Sequence, residues 1–311
     1  MNNTNTKTTV YEVITNKVID GLKKDGLSWF KPWTNNDGEF IVPCNLKTKK
    51  EYNGINVLLL SASMRANEWI RPEFVTYKQA EELGGNVKTG EKGNEVIYWL
   101  VSYFADGKWY ANAKALAKAG HKPSDKGVSE NWSPRYFRVF NVAQCEGLKL
   151  PKASKPKATS IYQPIESAGS VYRDYYQAPE LKHGGQKAFY RPSQDLVQMP
   201  RPEAFLSTDD YYKTLFHELV HSTGHSTRLN RKGVSGEASV AFGSDTYSFE
   251  ELIAEMGSMY LVAFTGVKPS DNDDNSQAYI NGWISKLGSE PKWILKAGGA
   301  AEKAVKRIIN K

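Results

Sequence analysis

The stretch Thr214-Leu-Phe-His217-Glu218-Leu-Val-His221-Ser-Thr-Gly224-His225 constrains this chain more than any other. Three of the five histidines fall within its last nine residues. His217 and His221 are four apart, so on a helix both imidazoles project from one face toward one ion. Glu218 directly follows the first of them. That sets a carboxylate beside an open metal position, where it can take a proton from bound water. The flanks read as a helix: Tyr211, Tyr212, Leu215, Phe216, Leu219 and Val220 repeat near the 3.6 period. Ser207-Thr208-Asp209-Asp210 offers N-caps and Gly224 a stop. Two core histidines on an amphipathic helix share this spacing; the helical context and Glu218 favour the metal.

A metal needs a third protein ligand. His225 lies past the stop and is turned away. The longer pattern with a third His six residues after the second would need His at 227, where this chain has Thr227. Downstream, residues 247–264 form a second apolar helix that carries Glu250, Glu251 and Glu255. Glu251 and Glu255 are four apart and share a face with core-like Leu252, Met256 and Met259. Carboxylates on a core-facing helix are costly to bury unless something compensates them. We expect Glu251 to be the third ligand and Glu255 to orient a ligand histidine. Glu250 fits a charge favoured by the helix dipole. The ligand set suits Zn²⁺, with another divalent metal as the alternative.

A length of 311 residues favours two domains, and 40% apolar with 24% charged residues is ordinary for a globular protein. No apolar run approaches a membrane span, and residues 1–7 lack a signal-peptide core, so no membrane partner is expected. Cys44 and Cys145 make no disulfide framework and point to the reducing cytoplasm. The net charge of +7 is uneven. Residues 1–150 hold 21 Lys and Arg against 16 Asp and Glu, and residues 151–311 hold 20 against 18.

The N-terminal half reads as α+β. An amphipathic helix spans 8–24, another spans 57–64, a short strand at 74–76 leads into a helix capped by Gly84 and Gly85, and strands follow at 95–104 and 135–142. Residues 106–131 are polar and read as an exposed insertion. Trp29 and Trp33 flank Lys31 in a Pro-containing loop. Single-strand binding uses aromatics on which bases stack, with cations along the phosphates, although a loop Trp can equally plug a core. Residues 1–148 then form one domain, the Pro- and Lys-rich stretch 149–160 a linker, and 161–311 the metal domain. There, residues 188–190 and 195–199 read as a hairpin to which a peptide could add as a strand. Helices follow at 277–287 and 291–309, after a solvated turn at 271–275.

Together these motifs resemble the ArdC antirestriction proteins of conjugative plasmids and phages and the N-terminal regions of plasmid DNA primases. The resemblance rests on Trp29-Phe-Lys-Pro-Trp33, Tyr52-Asn-Gly-Ile-Asn56, Thr76-Tyr-Lys-Gln-Ala80, Gly90-Glu-Lys-Gly93 and Phe140-Asn-Val-Ala-Gln-Cys145. It also rests on 217–225 with Arg228-Leu-Asn-Arg231, and on Phe249-Glu-Glu-Leu-Ile-Ala-Glu255. It implies an N-terminal single-stranded-DNA-binding domain joined to a C-terminal zincin-like metallopeptidase domain, and protection of incoming DNA from host restriction. Ser222 stands where family members commonly carry an aromatic residue. That is expected to leave the metal geometry intact and alter the pocket wall.

On this reading His217, His221 and Glu251 hold Zn²⁺, and Glu218 is the catalytic base of a peptide hydrolysis. Tyr247, Tyr260 and Arg228 are candidates for the oxyanion donor. Trp29, Lys31, Trp33, Tyr52, Lys78, Lys88 and Lys92 are the expected DNA contacts. The partners are single-stranded DNA and a protein substrate, with host restriction components as one possibility. The alternative is a single-strand-binding protein whose metal site is structural or vestigial. Glu218 favours the enzyme, because a structural zinc site has no use for a base there. A metal-dependent nuclease is disfavoured, because such sites are rich in carboxylates and hold Mg²⁺.

Overall fold

The computed structural model describes residues 9–31, 41–150, 164–235, 245–268 and 276–310. In the N-terminal half, helix α1 (Val10–Asp25) starts where the Thr9 hydroxyl accepts from the Glu12 amide and the Glu12 carboxylate accepts from the Thr9 amide. Its apolar face is Ile14, Val18 and Leu22. Strand β1 (Cys44–Asn45) precedes α2 (Ile55–Ala66), an almost wholly buried helix. Strand β2 (Glu73–Val75) runs into α3 (Tyr77–Glu82), which Thr76 and Gln79 cap reciprocally. Strand β3 (Asn86–Val87) is followed by β4 (Asn94–Ala105), β5 (Lys108–Tyr110), α4 (Ala113–Lys118), β6 (Ser129–Asn141) and β7 (Cys145–Glu146).

The main sheet has the order β1-β2-β6-β4-β5, and β3 pairs with β7. β4 and β6 form one long antiparallel ribbon, in register from Asn94–Val139 to Phe104–Ser129. The ribbon is covered at its base and toward its tip, and residues 98–100 between them are exposed. At the base Val96 and Val139 pack with Leu60, Met64 and Phe74. The stretch 106–131 is exposed along most of its length, as read from the sequence, but it is folded: β5 returns along β4, and Leu116 of α4 packs on Tyr103 and Ala105.

The C-terminal half begins with α5 (Pro164–Arg173), then β8 (Glu180–His183), β9 (Phe189–Arg191) and β10 (Leu196–Met199). β9 and β10 are the expected hairpin. β10 also pairs in parallel with β8 and is therefore the central strand. Both of its edges are taken, so within this sheet a peptide strand has room only at the outer edge of β8 or β9. Helix α6 (Thr208–Ser222) carries the His-Glu motif, with Ser207 as N-cap. The short α7 (Lys232–Ser235) precedes α8 (Asp245–Thr265), α9 (Ser276–Ser289) and α10 (Trp293–Ile308). The stretch 271–275 lies outside the described residues.

The halves share one apolar cluster. Ile14, Val18 and Leu22 of α1 and Ile55 and Leu58 of α2 belong with Leu252 and Met256 of α8, Ile280 and Trp283 of α9, and Ala297 and Ala301 of α10. Polar contacts cross with them: the Thr15 hydroxyl donates to the Pro291 carbonyl at 2.7 Å, and the Tyr260 hydroxyl donates to the Gly54 carbonyl at 2.8 Å. No helix among the described residues is long and apolar enough to cross a membrane.

Candidate metal centre

Two helices build the site. α6 presents His217 and His221 one turn apart, and α8 presents Glu250, Glu251 and Glu255 toward them. The helices can approach this closely because position 257 of α8 is glycine. A Cβ there would lie 2.8 Å from a Val220 methyl of α6. Gly224, read as a helix stop, is also required for closeness. A Cβ would lie 2.5 Å from Val234, and the helix ends before it at Ser222.

The Nε2 atoms of His217 and His221 are 3.1 Å apart. Glu251 closes the triangle, with one carboxylate oxygen 3.3 Å from His217 Nε2 and the other 3.4 Å from His221 Nε2. Ligands bound about 2.0–2.1 Å from a tetrahedral metal lie about 3.3 Å from one another, so these spacings are those of a single coordination sphere. Among the described residues, His217, His221 and Glu251 are the His, Cys and acidic side chains that converge in this way. Neutral nitrogen and carboxylate oxygen are a donor set that fits a divalent cation.

Each histidine is held from behind. His217 Nδ1 lies 3.2 Å from Glu255 Oε1. His221 Nδ1 lies 3.4 Å from Glu250 Oε1. Glu250 is therefore a supporting residue and not the dipole charge that the sequence suggested. Arg231 fixes it in turn, with Nε 3.0 Å from Glu250 Oε2 and Nη2 2.5 Å from Oε1. Arg231 also donates to the Val220 carbonyl and the Thr223 hydroxyl, which ties this network to the end of α6.

Burial disfavours a charged His217, but Glu251 and Glu255 outweigh it and raise the imidazole well above its ordinary pKa. For His221 the same opposition, against Glu250 and Glu251, pushes the value up to about 9. Burial pushes Glu251 up, and the two imidazoles more than reverse this, so its carboxyl sits below the usual range. Glu218 is buried on α6 beside the cluster.

The three oxyanion candidates divide. Arg228 is committed elsewhere, paired with Asp195 and donating to the Ser222 carbonyl at 2.8 Å and to the Tyr190 hydroxyl at 3.2 Å. Tyr260 is buried against Gly54 in the N-terminal half. Tyr247 lies one helical turn before Glu251 on α8. His225 pairs with Thr227 and takes no part in the cluster.

Residues 8–142 match the N-terminal domain of anti-restriction factor ArdC, and residues 175–300 match the zincin-like metallopeptidase family. The chain also superposes on the metal-free crystal structure of the antirestriction protein ArdC from plasmid R388. The TM-score is 0.68 at 28% identity, over 97% of each chain. The chain belongs to the ArdC antirestriction family. The Mn(II)-bound structure of R388 ArdC matches with TM-score 0.68 at 27% identity, over 97% of this chain and 98% of that one. The uncharacterized protein y4eC of Sinorhizobium fredii is 30% identical over 96% of this chain and 90% of its own length. Two Escherichia coli DNA primases TraC are each 34% identical over 94% of this chain. This chain spans only 19% of one primase and 26% of the other.

In this ArdC-family chain Ser222 is fully buried, with its hydroxyl 3.4 Å from that of Tyr175 and bonded to the Leu219 carbonyl. Position 222 therefore belongs to the core behind α6 and not to the wall of a pocket. The expected DNA contacts scatter. Trp29 is only 5% exposed, and its indole occupies the space a Cβ on Gly21 would need. It is a core plug and cannot stack on a base. Tyr52 is half-buried edge-on to Phe74, and burial pushes its hydroxyl up to about 12, so it too serves the core. Lys31 is half-buried at the end of the turn that Trp29 anchors, and Trp33 lies outside the described residues. Lys78, Lys88 and Lys92 are exposed. Lys88 Nζ donates to the Ala143 carbonyl, and the Lys92 carbonyl accepts from Gln144, so the Gly90 turn is anchored to the turn after β6.

Proposed function

We propose that this chain is an antirestriction protein that binds single-stranded DNA through its N-terminal half and hydrolyses a peptide bond at the α6–α8 site, so protecting incoming plasmid or phage DNA. The observation that carries the hydrolytic reading is the tetrahedral spacing of His217, His221 and Glu251 with Glu218 buried next to them. The three ligands would hold Zn²⁺, which when bound supplies a Lewis acid and brings the pKa of a water to about 7. Glu218 takes the proton of the attacking water and delivers it to the leaving amine. Glu255 and Glu250 keep the histidine rings turned so that both Nε2 atoms face inward, and Arg231 keeps Glu250 in place. The substrate on this reading is a protein met by the entering strand, host restriction components among them.

Glu218→Gln tests this. The variant is expected to keep its metal and its single-strand affinity while protection from restriction and cleavage of co-purified host proteins fall at least a hundredfold. Full protection by the variant would instead mean that coating the strand suffices and that the metal is structural.

A further inference from the structure

Between its buried base and the tip that α4 covers, the ribbon of β4 and β6 carries partly exposed aromatic rings. Trp99 is 44% exposed, Trp132 54% and Tyr136 38%. Their register places them in one row. Trp132 lies opposite Val101 and Tyr136 opposite Ile97, so Trp99 sits between them across the ribbon. Positions four apart on β6 are separated by about 13 Å, so the row is long enough for two or three nucleotides. On the opposite face Tyr98 and Phe137 pair at 5.5 Å between ring centres, beside exposed Arg135.

The charge around these rings is net positive. Residues 94–141 contain seven Lys and Arg against four Asp and Glu, +3 of the +5 carried by residues 1–150. The acids are each engaged. Glu95 pairs with Lys17 and Arg138, Asp106 with His121, Asp125 with the Lys122 amide, and Glu130 with the Trp132 indole. The lysines at the tip, from Lys108 to Lys126, are exposed. A second protein docking here would be expected to meet a fused apolar patch with few charges at its centre. Separated rings fringed by cations are instead the surface that a single strand needs, because every base has a face to stack and every nucleotide a phosphate.

We infer that the β4–β6 ribbon is the single-strand platform, with bases stacked on Trp99, Trp132 and Tyr136 and the backbone drawn by Arg138 and the tip lysines. This rests on the reading that the chain binds single-stranded DNA, and it moves the contact from the Trp29 loop to the ribbon.

The test is fluorescence anisotropy with an oligothymidylate of about 25 nucleotides, long enough for any one site. Wild type, Trp99→Ala, Trp132→Ala and the Trp99→Ala, Trp132→Ala, Tyr136→Ala triple variant are compared, with thermal unfolding and sedimentation on each. Each ring lost is expected to weaken binding by about five- to a hundredfold, with the unfolding midpoint unchanged. A triple variant that binds as wild type does overturns the inference and leaves DNA binding to another surface. No binding by wild type at any salt overturns the single-strand reading itself. A variant that changes the sedimentation of the free protein and not its DNA affinity overturns the inference in favour of a second copy on the ribbon.

Discussion

At the candidate metal centre three carboxylates and two imidazoles are largely withdrawn from water, each close to a partner of opposite character. On the β4–β6 ribbon Trp99, Trp132 and Tyr136 keep 38–54% of their surface in water. Folding alone rewards neither arrangement. Burying ionisable groups costs free energy that only good pairing or a cation recovers. Exposing tryptophan forgoes the burial that makes it valuable in a core. The centre keeps its cost inside two packed helices, where geometry can be held to fractions of an ångström. The ribbon keeps its cost at the surface, where a flexible polymer of variable sequence can be met without fixed geometry. On the proposed reading, chemistry is placed on rigid buried helices and recognition on a partly exposed strand pair.

The sharpest way to break this comparison is to remove the ligands. His217→Ala with His221→Ala is expected to abolish stoichiometric metal binding by elemental analysis, whereas the ribbon variants keep their metal. Residual metal in the double variant would mean that the cation sits elsewhere. Next in size is a comparison of two tryptophans. Trp29→Ala removes a buried indole and is expected to cost about 3–5 kcal/mol in urea unfolding, while Trp99→Ala stays within about 0.5 kcal/mol. Equal costs would show that the ribbon face is packed in solution.

Smaller again is the loss of a supporting carboxylate. Glu255→Ala is expected to weaken metal affinity about 10- to 100-fold in a competition titration and to leave DNA affinity unchanged.

The smallest effect lies at the ribbon's base, where Lys17 of α1 and Arg138 of β6 meet Glu95 of β4. Burial raises the Glu95 pKa, but Lys17 and Arg138 outweigh it, so the folded value lies below the ordinary one. Its stabilising contribution is complete above the unfolded carboxylate value and is lost as pH falls through the folded value. Glu95→Gln should therefore show a shallower loss of unfolding free energy on acidification below about pH 4.5, by about 1 kcal/mol or less. An unchanged acid limb would remove the Lys17–Glu95 pair as a brace.

The convergence of His217, His221 and Glu251 was legible in the sequence, because helical spacing is a property of the local chain; the same spacing named Glu255 as the partner of a ligand histidine without saying which. Glu250 was not legible, because its role depends on Arg231 folding back from beyond the end of α6, and no local period encodes that. Arg228, Tyr260 and Tyr247 could not be ranked for a related reason: partners such as Asp195 and Gly54 are fixed only by tertiary packing. The N-terminal elements were found, but which of their side chains face inward was not. The loop around Trp29, with Lys31 and Pro32, left stacking and core plugging equally open, and only the packing against Gly21 decides it.

The hydrogen bond from Thr15 to Pro291 links residues 276 positions apart. During synthesis at about 5–20 residues per second, the carbonyl that Thr15 needs emerges roughly 14–55 s after Thr15 itself. The apolar side of α1 waits that long for α9 and α10, as the first turn of α2 waits for Tyr260. The earliest helix of the chain is thus completed by its last ones. The nascent N-terminal half carries an open hydrophobic seam on the ribosome, a natural place for a chaperone to hold it.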